Sequence, residues 1–172
     1  MLNPYEHDDA DRLTKSVETI VEPVSGLIAR AQDEGAELIY VNDNYGDWNS
    51  SSEELAQRAL DGARPDLIEP ILPPEGVDFV IKARHTIFYM TPLEYLVAQK
   101  EIDHLVLAGQ VTEQCILYSA LDAYVRHFEV SIPRDGVAHI HDNLADAAIE
   151  MMKRNMSAEI TSCADVRLSA AA

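Results

Sequence analysis

Basic residues are scarce in this sequence: 13 Lys and Arg stand against 30 Asp and Glu, for a formal net charge of −17. Nucleic acids and anionic membrane surfaces are bound by basic patches, so this imbalance argues against both as partners, and a solvated acidic surface is its simplest meaning. Cysteine is nearly absent as well. Cys115 and Cys163 make no disulfide framework, and no Cys-x-x-Cys spacing supports a dithiol redox role. No apolar run approaches the ~20 residues of a membrane span. The opening residues, Met-Leu-Asn-Pro-Tyr-Glu-His-Asp-Asp, lack the basic-then-apolar order of a secretory signal, so a reducing, cytoplasmic location is expected. Repeats, low-complexity tracts and linkers are also missing, and residues 1–172 are read as one domain.

What is present reads as an ordinary globular chain, 47% hydrophobic and 25% charged. After a polar segment, residues 1–11, apolar side chains recur mostly every three or four residues at Leu13, Val17, Ile20, Val24, Leu27, Ile28 and Ala31. That spacing predicts a helix, which Pro23 should kink or divide and Gly35 should end. Strands are predicted over 36–42, 77–82, 103–108, 129–133 and 159–162, and helices over 52–60, 91–100, 112–127 and 143–156. Four prolines between residues 61 and 76 favour an extended surface excursion there. Strands alternating with helices imply parallel pairing through right-handed crossovers, hence an α/β three-layer sandwich with a mostly parallel sheet.

In such sheets ligands gather beyond the carboxyl ends of the strands, which directs attention to 42–48, 82–88, 110–115 and 134–135. Leu105, Val106, Leu107 and Ala108 form a short apolar strand, Gly109 permits a sharp turn, and Thr112 is placed to cap the following helix. Cys115 then falls in the first helical turn, where backbone N–H groups and the helix dipole favour thiolate over thiol. It is either a nucleophile or a small packing residue. Lys82 ends the run Phe79-Val80-Ile81 at the same edge; its ammonium would favour the thiolate, unless it simply faces solvent. Tyr45, Trp48, His85, Phe88 and Tyr118 lie where they can wall a pocket for a small substrate, although Phe88 and Tyr118 equally suit the core. Arg84 suits either a substrate carboxylate or a surface ion pair.

Two segments, Lys82-Ala-Arg-His-Thr-Ile-Phe-Tyr-Met-Thr-Pro-Leu and Gly109-Gln-Val-Thr-Glu-Gln-Cys115, resemble the isochorismatase-like cysteine hydrolase family, and Asp122-Ala-Tyr-Val-Arg and Ile132-Pro-Arg-Asp-Gly-Val extend the resemblance over nearly the whole chain. The resemblance implies a Rossmann-like six-stranded sheet, a homo-oligomer, and hydrolysis of a small amide or carbamoyl C–N bond. It makes Cys115 the nucleophile that forms a thioester and Lys82 the lysine of the family triad. It assigns the oxyanion hole to the backbone N–H groups of Val111 and Cys115, shaped by a cis peptide at Gln110–Val111. The partner is a small-molecule substrate.

The sequence departs from the family in two ways. The third triad member is an aspartate ending the family's first strand, and Met1-Leu2-Asn3 looks like the residues just after it. A misplaced start is the expectation, with the first, central strand missing from the sequence as given. Otherwise Asp8 or Asp9 stands in as base, or the protein is a non-catalytic, ligand-binding relative. Nicotinamidase relatives carry histidines on the loop that here reads Asp43-Asn-Tyr-Gly-Asp-Trp, with none. A metal needs about three to four converging ligands, and His7, His85, His104, His127, His139 and His141 are scattered, so no metal or other cofactor is expected. Vinyl ether cleavage is disfavoured, because relatives that cleave isochorismate typically lack the cysteine.

Overall fold

The apolar stripe beginning at Leu13 folds as one helix, α1 (Ala10–Glu34), in the computed structural model, which describes residues 1–168. Pro23 does not divide it. Ile20 and Val21 before the proline and Val24 and Leu27 after it are all buried. Burying such side chains stabilises by roughly 1.5–3 kcal/mol each, enough to outweigh a proline penalty of about 3 kcal/mol. Gly35 ends the helix in the left-handed region (φ 69°), and Ala36 N–H closes back on Ala31 O at 2.9 Å.

The strands are β1 (Ile39–Asp43), β2 (Asp78–Lys82), β3 (His104–Val106), β4 (Gly109–Gln110), β5 (Glu129–Pro133), β6 (Val137–Ala138) and β7 (Glu159–Thr161). Between them lie α2 (Ser52–Leu60), α3 (Leu93–Gln99), α4 (Leu117–Val125) and α5 (Asp142–Asn155). Every described pairing is parallel: β1 with β2, β5 between β3 and β7, and β4 with β6. Successive strand residues point to opposite faces. Val80 and Val137 join a core with Leu93, Val97, Ile116, Ala120 and Met152, whereas neighbouring Phe79 and Ala138 pack with Leu13, Val17 and Ile20 of α1. Helices therefore cover both faces, giving the three layers expected.

Several local expectations need correction. The opening segment is not merely polar: Leu2 and Tyr5 are buried with α1, because Asn42 binds the backbone of Leu2 through both its amide oxygen and its amide nitrogen. Residues 61–76 are no surface excursion. Pro65 and Pro70 lie in the first turns of two 3₁₀ segments that drive Leu67, Ile68 and Ile71 inward, since fixed φ suits a helical start. Helix α3 starts two residues later than Thr91, whose hydroxyl donates to Ile87 O at 2.6 Å. Nor does Thr112 cap its helix. Buried to 1% exposure, it donates to Ala138 O at 2.9 Å and ties this turn to β6.

Between β1 and β3 there is no strand pairing, and a channel of about 380 Å³ runs there, bordered by Ile39, Tyr40 and Val41 on one side and Leu105, Val106 and Leu107 on the other. Its lining includes Met1, Lys82 and Cys115. Among the described residues no helix is long and apolar enough to cross a membrane.

Candidate active site

Lys82 and Asp43 are the last residues of two parallel strands and stand in register across β1 and β2. Their side chains pair at 3.1 Å from Nζ to Oδ2. Lys82 does not face solvent; it is 5% exposed, and a buried ammonium requires partners. It has a second one: Nζ lies 3.6 Å from Cys115 Sγ. The other Asp43 oxygen accepts the Tyr45 N–H at 2.8 Å, so the carboxylate is fixed from both sides.

Cys115 is half-buried in a π-helical turn, Thr112–Ile116, that runs directly into α4. Thr112 fixes the start of this turn through Ala138, and Glu113 fixes its flank by accepting the N–H groups of Ile140 and His141 at 3.0 and 2.9 Å. The Val111 carbonyl accepts from Gln114 and Ile116, and the Gln110–Val111 peptide is cis. On the solvent side, His85 Nδ1 lies 3.9 Å from Sγ, and the His85 ring rests on Tyr118 at 5.4 Å between centroids.

The structure thus brings Cys115, Lys82, His85 and Tyr118 together, with Val111 opening the turn. The remaining pocket residues fare differently. Tyr45 turns its hydroxyl inward to donate to Leu2 O at 2.7 Å; burial, and next the Asp43 carboxylate, push its phenol well above the ordinary range. Trp48 is 80% exposed, with no ring partner among the described residues. Arg84 is exposed and makes no ion pair among the described residues. Phe88 belongs to the core instead of the pocket: it is buried, stacked on Phe128 at 5.8 Å, with the Arg126 guanidinium 4.8 Å from its ring. Asp9 stands at the N-terminus of α1, where a carboxylate complements the helix dipole.

Asp43 is the residue that sequence reasoning placed only as a lone loop acid. The available signal was register, because two parallel strands ending in opposite charges place those charges side by side. At the back of the site the Leu2 N–H donates to Asn42 Oδ1 at 3.0 Å. Among the described residues no three His, Cys, Asp or Glu side chains converge as metal ligands.

Residues 8–165 match the isochorismatase domain family. The chain is 33% identical over 161 residues to an uncharacterized isochorismatase family protein, YaaI, of Bacillus subtilis, covering 94% of this chain and 89% of that one. It is 26% identical over 151 residues to maleamate amidohydrolase of Pseudomonas putida, covering 83% and 71%. In fold it is similar to the crystal structure of the nicotinamidase SaPncA from Staphylococcus aureus, with a TM-score of 0.67, 23% identity and coverage of 86% and 85%.

Proposed function

The chain belongs to the isochorismatase family of hydrolases, and on that premise we propose that it cleaves the C–N bond of a small amide or carbamoyl compound through a thioester on Cys115. One observation carries this reading: a buried ammonium, held by Asp43, lies 3.6 Å from the half-buried thiol of Cys115. Such a cation stabilises the negative charge that develops beside it as the sulfur attacks. Cys115 is the nucleophile and Lys82 its electrostatic partner. Asp43 positions Lys82. The N–H groups of Val111 and Cys115, on either side of the turn, receive the carbonyl oxygen as it becomes an oxyanion. The maleamate amidohydrolase relative supports an amide as the bond cleaved.

A second reading is a binding protein that does not turn its ligand over. It is favoured by the absence, among the described residues, of a carboxylate hydrogen-bonded to Sγ. Ammonia release from maleamate, N-carbamoylsarcosine and nicotinamide separates the two. Release from any of them, lost in Cys115→Ala, is the result expected of the amidohydrolase. Ligand binding without release by the wild type would establish the second reading.

A further inference from the structure

We infer that the outer face of α4, with the loop and helix start beside it, is the surface through which two copies of this chain pair about a two-fold axis. The composition of α4 is the first reason. Asp122 is the one charged residue in the helix, and while Ser119, Ala120 and Ala123 face the core, Tyr118, Leu121, Tyr124 and Val125 are left exposed. A helix that is apolar on every side is one that is covered on every side. By contrast, α5 turns Asp146, Glu150, Lys153 and Arg154 outward, as a helix facing water should.

A second exposed segment lies against the first. Thr86 Oγ1 donates to Asp122 Oδ2 at 2.5 Å, the Ile87 N–H donates to Ser119 Oγ at 3.1 Å, and Arg126 Nε donates to Glu94 Oε2 at 2.9 Å. The Arg126 guanidinium also lies 4.8 Å from the centre of the Phe88 ring. Tyr89 and Met90 follow Phe88 and Tyr95 follows Glu94, so these three exposed side chains extend the α4 surface. Seven of the 11 large apolar side chains that are exposed among the described residues therefore belong to one face. They leave 43–87% of their surface open, which for residues of this size is on the order of the ~800 Å² that each partner gives to a stable interface. A patch of that extent marks a contact surface.

Charge selects the occupant. Of the chain's 30 acids and 13 bases, residues 84–95 and 117–126 hold two of each, Glu94 and Asp122 against Arg84 and Arg126, so this face has no net charge on a chain that carries −17. Two copies repel wherever their acidic surfaces meet, and here they touch without that penalty. A basic partner would be drawn to the acidic remainder instead. A two-fold axis lets one patch serve both copies, the commonest way in which soluble chains pair. The face ends at Tyr118, whose ring supports His85, 3.9 Å from Cys115 Sγ, so the pair would border the candidate site.

Two measurements on the intact chain test this. The first is sedimentation velocity, in which the wild type is expected as a dimer. The double variant L121E/V125E brings like charges together across the axis and should raise the dimer dissociation constant about a hundredfold or more, whereas L144E/M151E, the same change on exposed apolar residues of α5, should leave it within about twofold. A monomeric wild type, a dimer that survives L121E/V125E with unchanged circular dichroism, or a dimer lost in L144E/M151E would overturn the inference. The second measurement needs no variant, so it decides the matter if L121E/V125E does not fold: peroxide oxidation of the wild-type methionines, followed by peptide mapping. In a single chain Met90 is 87% exposed and Met151 45%, so Met90 would be oxidised first. Pairing covers Met90 and reverses that order, with Met151 expected to react about threefold faster or more. Met90 reacting ahead of Met151 would overturn the inference.

Discussion

Cys115 and Cys163 are the same side chain in two settings, and the contrast shows how neighbours turn a thiol into a tool or into packing. Cys115 is half-buried, with an ammonium at 3.6 Å and an imidazole at 3.9 Å. Cys163 is 5% exposed beside Leu27 and Val166, and its N–H donates to Asp135 Oδ1 at 2.7 Å. Burial, and next the Asp135 carboxylate, push its thiol from the ordinary 9.0 up to about 12. A cation and an imidazole stand beside one sulfur; apolar contacts and an anion surround the other. Nucleophilic chemistry is available to the first alone.

The comparison is broken most completely by removing the reactive thiol. Cys115→Ala should lower ammonia release by as much as about a million-fold, the scale seen when a nucleophile is lost, while circular dichroism stays that of the wild type. Removing the cation should come next. Lys82→Met keeps the length of the side chain but leaves Asp43 without its partner, and kcat should fall about 10²- to 10³-fold, as when one electrostatic stabiliser is deleted. Iodoacetamide labelling of this variant should slow at Cys115 and stay negligible at Cys163.

Crowding the packed thiol should cost stability and spare chemistry. A Cβ on Gly136 would lie 2.7 Å from Cys163 Sγ and 2.9 Å from Pro133 Cγ. Gly136→Ala should therefore destabilise by about 1–3 kcal/mol in urea unfolding with kcat unchanged. The smallest effect is a pH dependence. In the unfolded chain the Cys163 thiol ionises near its ordinary 9.0, whereas in the folded chain it stays protonated up to about 12. Its contribution is complete below pH 9 and is lost as pH rises through about 12, because the unfolded state then binds fewer protons. The stability difference between wild type and Cys163→Ala should shrink over that window, measured by urea titration at stepped pH.

Much of this was legible in the sequence where residues carry a period or a motif. β5 falls on residues 129–133 as read, and β1, β2 and the major helices lie within a few residues of their predicted limits. The strand leading into a helix at Cys115, and Lys82 as its neighbour, came from apolar runs that end in a polar residue, although Gly109 lies in β4 and not in the expected turn. The rest depends on partners distant in sequence. β4 and β6 are two residues each, too short to show alternation. Leu2 and Tyr5 sit among polar residues, and only the Asn42 amide, forty positions away for Leu2, draws that arm inward. Asp43 became legible as a site residue once strand register set it beside Lys82, whereas His85, read as a pocket wall, lies beside Cys115.

The facing edges of β1 and β3 differ from the interior of the β3–β5–β7 sheet in what their backbone groups can bind. The two strands do not pair with each other across the channel, which opens to solvent, so water satisfies the N–H and C=O groups along those edges. Hydrogen–deuterium exchange should therefore run faster along β1 and β3 than along β5, which is paired on both sides.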